Sequence, residues 1–278
     1  MNIKDILTRA GAGTIYILVI LLGLLGGRFS FLVVFGAILG SALFEFYRMV
    51  EKDTSHDISK IFNILMGVII FVSVFLYLEG IHTYLLPVFI LAYFLILIAS
   101  AIFLSRQDAL HGIIYSVFGQ VYITMPLSLL MFISYSPDMA VSKYNWAPVL
   151  ALFVFLWVND TAAYFIGSLI GKHKLIEHIS PKKSIEGFIA GIVFTILASL
   201  IFDRIYPGFS TIFWMGLAVV IVLFGTLGDL FESLIKRTCN VKDAGTLIPG
   251  HGGILDRIDS LLVAVPAVYL YLILFHSF

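Results

Sequence analysis

Long apolar stretches without charged residues are the feature that most restricts how this chain can fold. Of its 278 residues, 60% are hydrophobic and 12% are charged, whereas a soluble domain has about 25% charged residues. About 20 consecutive apolar residues suffice for a helix to cross the hydrocarbon core of a membrane. Nine stretches of roughly this length can be read from the sequence, at residues 10–27, 29–48, 61–79, 84–105, 112–135, 146–170, 187–205, 211–235 and 260–277.

These stretches predict an all-α, polytopic membrane protein with about nine transmembrane helices. A helix pairs its backbone N–H and C=O groups internally, which the membrane interior demands. The sequence lacks the alternating pattern that a membrane β-barrel would show. Close helix contacts are further indicated by pairs of glycines four residues apart, at Gly36–Gly40, Gly167–Gly171 and Gly187–Gly191.

The basic residues predict the orientation of the helices. If the N-terminus lies in the cytoplasm, only Arg28, Lys143 and Arg204 of the 17 Lys and Arg residues fall in outer segments, which leaves 14 inside. Such a bias follows the positive-inside rule. We therefore expect a cytoplasmic N-terminus, a C-terminus outside, and a location in the cell inner membrane.

The sequence also argues against a cleaved signal peptide, an intramolecular disulfide and a nucleic-acid partner. Lys4 and Arg9 precede the first apolar stretch as in a signal peptide, but residues 23–28 offer no Ala-x-Ala-like cleavage site, so a retained first span is expected. Cys239 is the single cysteine, which excludes an intramolecular disulfide. The net charge of zero gives no reason to expect a nucleic-acid partner.

The chemistry-bearing residues lie mostly in the second half of the chain. We therefore predict a scaffold of transmembrane helices at 1–140 and a catalytic transmembrane region at 141–278, with cytoplasmic loops at 171–187 and 236–259. A first cluster is Asn159-Asp160, inside an apolar helix, where a carboxylate is costly unless paired or hydrated. The alternative is a polar pair that joins helices.

The second cluster is the loop segment Ser180-Pro-Lys-Lys-Ser-Ile-Glu-Gly187, which contains Lys182, Lys183, Ser184 and Glu186. Its lysines could contact phosphates, and Ser184 could cap the next helix, whose N-terminus attracts anions. Lys172 and Lys174 nearby are equally well explained as anchors beside anionic lipid.

The third cluster combines a helix and the loop after it. Helical spacing places Asp229, Glu232, Ser233 and Lys236 on one face. Beyond the helix, Gly250, Gly252 and Gly253 would let backbone N–H groups approach a phosphate. The same loop contains the charged or titratable residues Lys242, Asp243, His251, Asp256, Arg257 and Asp259. Carboxylates beside basic residues suit a metal–triphosphate site. Neither a P-loop pattern nor zinc-type Cys/His spacing is present.

One stretch resembles a known family. Ser233-x-x-Lys236-Arg237, Lys242-Asp243 and His251-Gly252-Gly253-x-x-Asp256-Arg257-x-Asp259 match the signature of the phosphatidate cytidylyltransferases in residue types and spacing. The resemblance implies transfer of the cytidylyl group from CTP to phosphatidic acid by a homodimer that contacts membrane lipid. Mg²⁺ and K⁺ are the cations that it implies. It also implies that Asp229 and Asp256 form the metal pair, to which we add Glu232 as a candidate ligand.

The expected site residues follow from these clusters. We assign catalytic roles to Asp229, Lys236, Arg237, His251 and Asp256. We expect substrate contacts from Asn159, Asp160, Lys182, Lys183, Ser184, Glu186, Ser233, Lys242, Asp243, Gly252, Gly253, Arg257 and Asp259. A phosphate monoester is already largely dianionic near pH 7, so His251 is expected to orient groups and not to act as a base.

Two alternative functions remain open at this point. A kinase or cytidylyltransferase that uses CTP on another membrane lipid would share most of these features, although the length of the signature argues against it. An ion-coupled transporter could use Asp160 and Asp229 to carry cations. No internal repeat is evident, and the polar residues crowd on one side of the membrane.

Overall fold

The computed structural model describes residues 3–53, 59–103, 109–135, 144–245, 247 and 252–276. Their α-helices are α1 (Ile3–Leu25), α2 (Arg28–Asp53), α3 (Lys60–Glu79), α4 (Leu85–Phe103), α5 (Ala109–Gly119), α6 (Met125–Ile133), α7 (Ala147–Ile170), α8 (Ile185–Ile205), α9 (Thr211–Thr238) and α10 (Leu255–His276). A π-helical segment, Gln120–Thr124, joins α5 to α6. Two strands, β1 (Lys174–Ile176) and β2 (Ser180–Ser184), form an antiparallel pair.

The predicted number of helices is confirmed within the described part of the chain. Because α5, the π-helical segment and α6 form one continuous rod, the described residues hold nine rods, and eight are long and apolar enough to cross a membrane. The ninth, α1, has its apolar part at Gly11–Leu25, which is shorter than the others. The protein is therefore a multi-pass, all-α membrane protein.

Contacts divide the chain into two compact units. The first unit is Met1–Tyr144 with Thr238–Arg257, and the second is Asn145–Arg237 with Ile258–Phe278. The predicted division of roles at 1–140 and 141–278 stays a prediction, because contacts alone do not assign roles.

In the first unit, a buried polar network lies between α3, α4 and the π-helical segment. The Asn63 side chain donates to the Ser116 hydroxyl over 3.0 Å and accepts from the Tyr93 hydroxyl over 2.6 Å. Gln120, the first residue of the π-helical segment, donates to the Asn63 carbonyl over 2.8 Å. Each of these buried polar groups therefore has a partner, as an apolar interior requires.

A second polar group of the first unit lies where α2 begins and α3 ends. Arg28 forms a 2.7 Å ion pair with Glu79, which also accepts a 2.6 Å hydrogen bond from the Tyr135 hydroxyl. Burial, followed by the hydrogen bond to Glu79, raises the pKa of Tyr135, so this phenol remains a donor at neutral pH. At the other end of the same two helices, Lys60 pairs with Glu51.

In the second unit, glycines bring α7 and α8 into backbone contact. A Cβ at Gly187 would lie 2.6 Å from the Ala163 carbonyl oxygen and 3.3 Å from the Gly167 Cα. The two glycine pairs predicted on these helices therefore lie at a helix contact. By contrast, a Cβ at Gly40 of α2 would meet its nearest side chain at 3.9 Å, an ordinary distance.

The short sheet between α7 and α8 was not expected from the sequence. Strand β1 pairs with β2 through Lys174 opposite Ser184 and Ile176 opposite Ser180. The charged and proline-containing β2, Ser-Pro-Lys-Lys-Ser, lacks the apolar alternation by which strands are recognised. The predicted loop at 171–187 is thus partly a β-hairpin.

The last helix begins earlier than the sequence suggested. Helix α10 starts at Leu255 and not near residue 260, so Asp256, Arg257 and Asp259 lie on a helix and not in the predicted loop 236–259. The Asp256 carboxylate accepts a 2.7 Å hydrogen bond from the Gly253 N–H. A side chain that reaches back to the residues before a helix stabilises its first turn, which the apolar pattern alone does not reveal.

The α7–α8 contact gives a first prediction. Replacing Gly187 by alanine should destabilise the protein by about 1–3 kcal/mol, because the added methyl group must displace backbone. Thermal unfolding in detergent measures the change, with Gly40→Ala as the matched control in a looser contact. Equal melting temperatures for the two variants would contradict the close α7–α8 packing.

Candidate active site

An ion pair links the hairpin to α9 in the second unit. The Lys183 ammonium lies 2.6 Å from the Asp229 carboxylate, and both side chains are about one-third exposed or less, at 27% and 33%. Lys183 is held on β2, and Asp229 lies near the C-terminal end of α9. The second and third sequence clusters therefore meet at this pair.

Three carboxylates and a second lysine gather around the same place. Helix α9 approaches α10 closely at Gly228, where a Cβ would lie 2.6 Å from the Asp259 carbonyl oxygen. This contact brings Asp229 near Asp259, and the charges of Asp229, Lys236 and Asp160 all act on the Asp259 carboxyl group. We call Asp160, Asp229 and Asp259, with Lys183 and Lys236, the charged cluster.

Lys236 also pairs with a carboxylate that is fully buried. Glu232 is 0% exposed and forms an ion pair with Lys236 one helical turn away. On the same face, the Ser233 hydroxyl lies 3.4 Å from an Asp229 oxygen. The predicted polar stripe on α9 is therefore real, and Glu232 is turned toward Lys236 within the protein.

Asn159 and Asp160 differ in their surroundings although they are neighbours. Asn159 is only 4% exposed, and its amide donates to Asp160 over 3.2 Å. A Cβ at Gly191 of α8 would overlap the Asn159 side-chain oxygen, so glycine there leaves room for the amide in this position. Asp160 is exposed at the helix surface. Asn159 thus orients Asp160 and fills the α7–α8 contact.

The end of the hairpin is held by Ser184 and Glu186. As expected from the sequence, Ser184 caps α8, its hydroxyl accepting a 3.1 Å hydrogen bond from the Gly187 N–H. Glu186 contacts the His173 backbone N–H at 3.2 Å and the His173 Nδ1 at 2.7 Å. Its carboxylate therefore helps to close the base of the hairpin that presents Lys183.

In the first unit, the start of α10 organises the signature loop, by which we mean residues 242–257. Asp256 accepts hydrogen bonds from the Ala244 N–H at 3.1 Å and from the Gly253 N–H at 2.7 Å. Gly252 has φ = +83°, a conformation that favours glycine. These contacts hold two parts of the loop together around one carboxylate.

The other predicted residues fall into two groups. His251 and Gly250 lie outside the described residues. Exposed positions are occupied by Lys182, Arg237, Lys242, Asp243 and Arg257. The basic side chains among them, Lys182, Arg237, Lys242 and Arg257, are accessible to an anionic ligand from water.

Sequence reasoning missed a contact from α2. Glu45 is 2% exposed, and one of its oxygens accepts a 2.8 Å hydrogen bond from the Leu255 N–H, the first residue of α10. A carboxylate between Phe44 and Phe46 in an apolar helix was itself a signal, because such a group is costly without a partner. The partner, however, lies far away in the sequence.

The donor chemistry of the charged cluster fits a hard cation. Carboxylates that act on one another electrostatically repel, and a divalent ion among them would offset that repulsion. Within the described residues, no group of three or more His, Cys, Asp or Glu side chains is arranged to hold a metal on its own. Mg²⁺ commonly uses one or two carboxylates and takes its other ligands from water and substrate phosphates, so this arrangement suits it.

Comparison with known proteins agrees with this chemistry. Residues 7–275 match the model of a family described as the cytidylyltransferase family. A phosphatidate cytidylyltransferase of Bacillus subtilis (strain 168) is 30% identical over 274 residues, which cover 98% of this chain and 99% of that protein.

Staphylococcal relatives match a shorter segment more closely. The phosphatidate cytidylyltransferases of Staphylococcus epidermidis (strain ATCC 35984) and Staphylococcus saprophyticus are 49% and 45% identical over 127 residues. That segment is 45% of this chain, and the chain spans about half the length (48%) of these relatives. With a family match over nearly all of its length, the chain belongs to the cytidylyltransferase family.

Proposed function

We propose that the protein transfers the cytidylyl group from CTP to phosphatidic acid, giving CDP-diacylglycerol and pyrophosphate. The observation that carries the proposal is the alignment with a phosphatidate cytidylyltransferase over 98% of the chain. The charged cluster supports it, because carboxylates interleaved with lysines suit a triphosphate and its cation.

The reaction exchanges one P–O bond for another. A phosphate oxygen of phosphatidic acid attacks the α-phosphorus of CTP, and the bond from the α-phosphorus to the bridging oxygen breaks, so pyrophosphate leaves with the electron pair. The attacking phosphate is largely dianionic near pH 7, so it needs no general base. Catalysis then consists of positioning the two substrates and neutralising their charge.

The basic residues would share the phosphate charge. Lys183 and Lys236 are fixed by ion pairs with Asp229 and Glu232, and they would exchange part of these contacts for phosphate oxygens. Lys182, Arg237, Lys242 and Arg257 would contact the outer phosphates from exposed positions. The backbone N–H of Gly252 would add a further donor, and the Gly253 N–H, which donates to Asp256, would hold that carboxylate in place.

Asp229 and Asp256 would hold Mg²⁺, with K⁺ as the second cation, and Glu232 is a further candidate ligand. Mg²⁺ would stabilise the charge that develops on the α-phosphate and the leaving pyrophosphate. Asp259 adds a carboxylate beside Asp229, which supports cation binding at this position. Asn159 would keep Asp160 oriented toward the same cluster.

The site is proposed to face the cytoplasm, and the protein is proposed to act as a homodimer in the cell inner membrane. The distribution of basic residues supports an inner location for the hairpin and the signature loop, with the N-terminus inside and the C-terminus outside. CTP would then reach the site from water, and phosphatidic acid would reach it from the membrane.

Transfer to another membrane lipid is the nearest alternative, and an ion-coupled transporter is more distant. Membership of the cytidylyltransferase family favours nucleotidyl transfer over transport. The names of the relatives favour phosphatidic acid as acceptor.

A labelling assay tests the reaction. Purified protein supplied with phosphatidic acid, Mg²⁺ and CTP labelled at its α-phosphorus should move label into the lipid phase. Asp229→Asn should lower kcat about 100-fold or more, because the cluster loses a charge that would hold the cation. Asp203→Asn is the control and should retain activity, because Asp203 lies at the C-terminal end of α8. Label transfer to another lipid but not to phosphatidic acid would contradict the proposal.

The Lys183–Asp229 pair gives a separate test. Lys183→Met should lower kcat/KM for CTP by about 10- to 100-fold, since a fixed positive charge is removed from the cluster. Lys174→Met is the matched control, because Lys174 lies exposed on β1 of the same hairpin. If the two variants lose activity equally, the hairpin acts only as a general basic surface.

A further inference from the structure

We propose that Glu45 of α2 is a positioning residue for the proposed reaction, which it serves by holding the signature loop from a distant helix. The inference rests on the proposed CMP transfer, and its structural part can be tested without it. None of the sequence motifs includes Glu45, and it lies 210 residues from its partner Leu255.

A hydrogen bond at the start of α10 connects Glu45 to the signature loop. The first N–H groups of a helix have no partner within the helix and need an acceptor. Glu45 supplies one for Leu255 at 2.8 Å. Asp256, the next residue, accepts from Ala244 and Gly253. The two carboxyl groups therefore fix neighbouring residues of the same helical turn.

The signature loop also fits closely around the Glu45 side chain. A Cβ at Gly245 would overlap the Glu45 carboxyl group, and all three of its nearest atoms belong to Glu45. A Cβ at Gly253 would overlap the same carboxyl group. A side chain at either of these two glycines of the signature loop would thus have to displace the buried Glu45 carboxyl group.

The Glu45 carboxyl group can also accept a further hydrogen bond. Its second oxygen, Oε1, is buried and has no hydrogen-bond partner among the described residues. The charged groups that act on Glu45 are Asp256 and Arg48, which lies one turn further along α2. A buried acceptor at the edge of a loop stabilises any donor that the loop brings to it.

Positioning by Glu45 has a kinetic consequence. If Leu255 and its neighbours lose this anchor, Asp256 and Arg257 still reach the substrates but are less often in the reactive arrangement. Loss of such a supporting contact commonly costs about 10- to 100-fold in activity. The loss should fall mainly on kcat, because ground-state binding of CTP is less sensitive to the arrangement than the transition state.

The test compares three variants with the wild type in detergent. Glu45→Leu keeps the volume and removes both acceptors, and should lower kcat about 10- to 100-fold with a smaller change in KM for CTP. Glu45→Gln keeps an oxygen acceptor for Leu255 and should retain most of the activity. Glu79→Leu is the control, because Glu79 is another carboxylate of the first unit that pairs with Arg28, where α2 begins.

Hydrogen–deuterium exchange provides a readout that does not depend on the reaction. Peptides covering 242–257 should exchange faster in Glu45→Leu than in the wild type, and at the wild-type rate in Glu79→Leu. The proposal would be overturned if Glu45→Leu exchanged at the wild-type rate or kept the wild-type kcat. It would also be overturned if Glu79→Leu had the same effects as Glu45→Leu. If the wild type does not transfer CMP, the proposed function is wrong. The exchange experiment would then still show whether Glu45 holds the signature loop.

A double substitution gives a second check on the fit. Gly245→Ala alone should raise exchange in 242–257, because its methyl group overlaps Glu45. Glu45→Ala removes the side chain that this methyl group would overlap. The increase in exchange in the double variant should therefore be smaller than the sum of the increases in the two single variants. Additive effects would mean that the two residues do not touch.

Discussion

The cost of placing a charged group among apolar helices is the constraint on which the rest of this structure depends. A carboxylate within a membrane-spanning helix needs a partner or water. Glu232 and Asp229 are met by Lys236 and Lys183, and Glu45 is met by a backbone N–H of α10. Each such contact joins two segments within one unit, or two turns of one helix. The acidic residues therefore fix the positions of helices as well as carry chemistry.

Features that depend on neighbouring residues could be predicted from the sequence. The apolar stretches predicted the helical rods, Ser184 was recognised as a cap, and Asp229, Glu232, Ser233 and Lys236 do share one face of α9. The start of α10 was placed too late, because its first turn is charged and is stabilised by side-chain contacts in place of apolar burial. The hairpin was missed for a similar reason, since β2 is short and polar.

Contacts between distant segments could not be predicted. The residue types of the candidate site were visible in the sequence, but nothing in their spacing pairs Lys183 with Asp229 or brings Glu45 to Leu255. Helical rules relate residues three or four positions apart, whereas these pairs are set by which helices pack together. Glycines such as Gly228 and Gly187 decide that packing, and their neighbours become evident only in the fold.

The α7–hairpin–α8 segment also has a consequence for the order of assembly. Its contacts join parts of the chain that follow one another directly, and such local contacts form faster than distant ones. During synthesis this segment emerges before α9 and α10. We therefore expect Asp160 and Lys183 to be the first members of the charged cluster in place. Helices α9 and α10, which carry Asp229, Lys236 and Asp259, follow later, and the Asp229 carboxylate meets the Lys183 ammonium as α9 arrives.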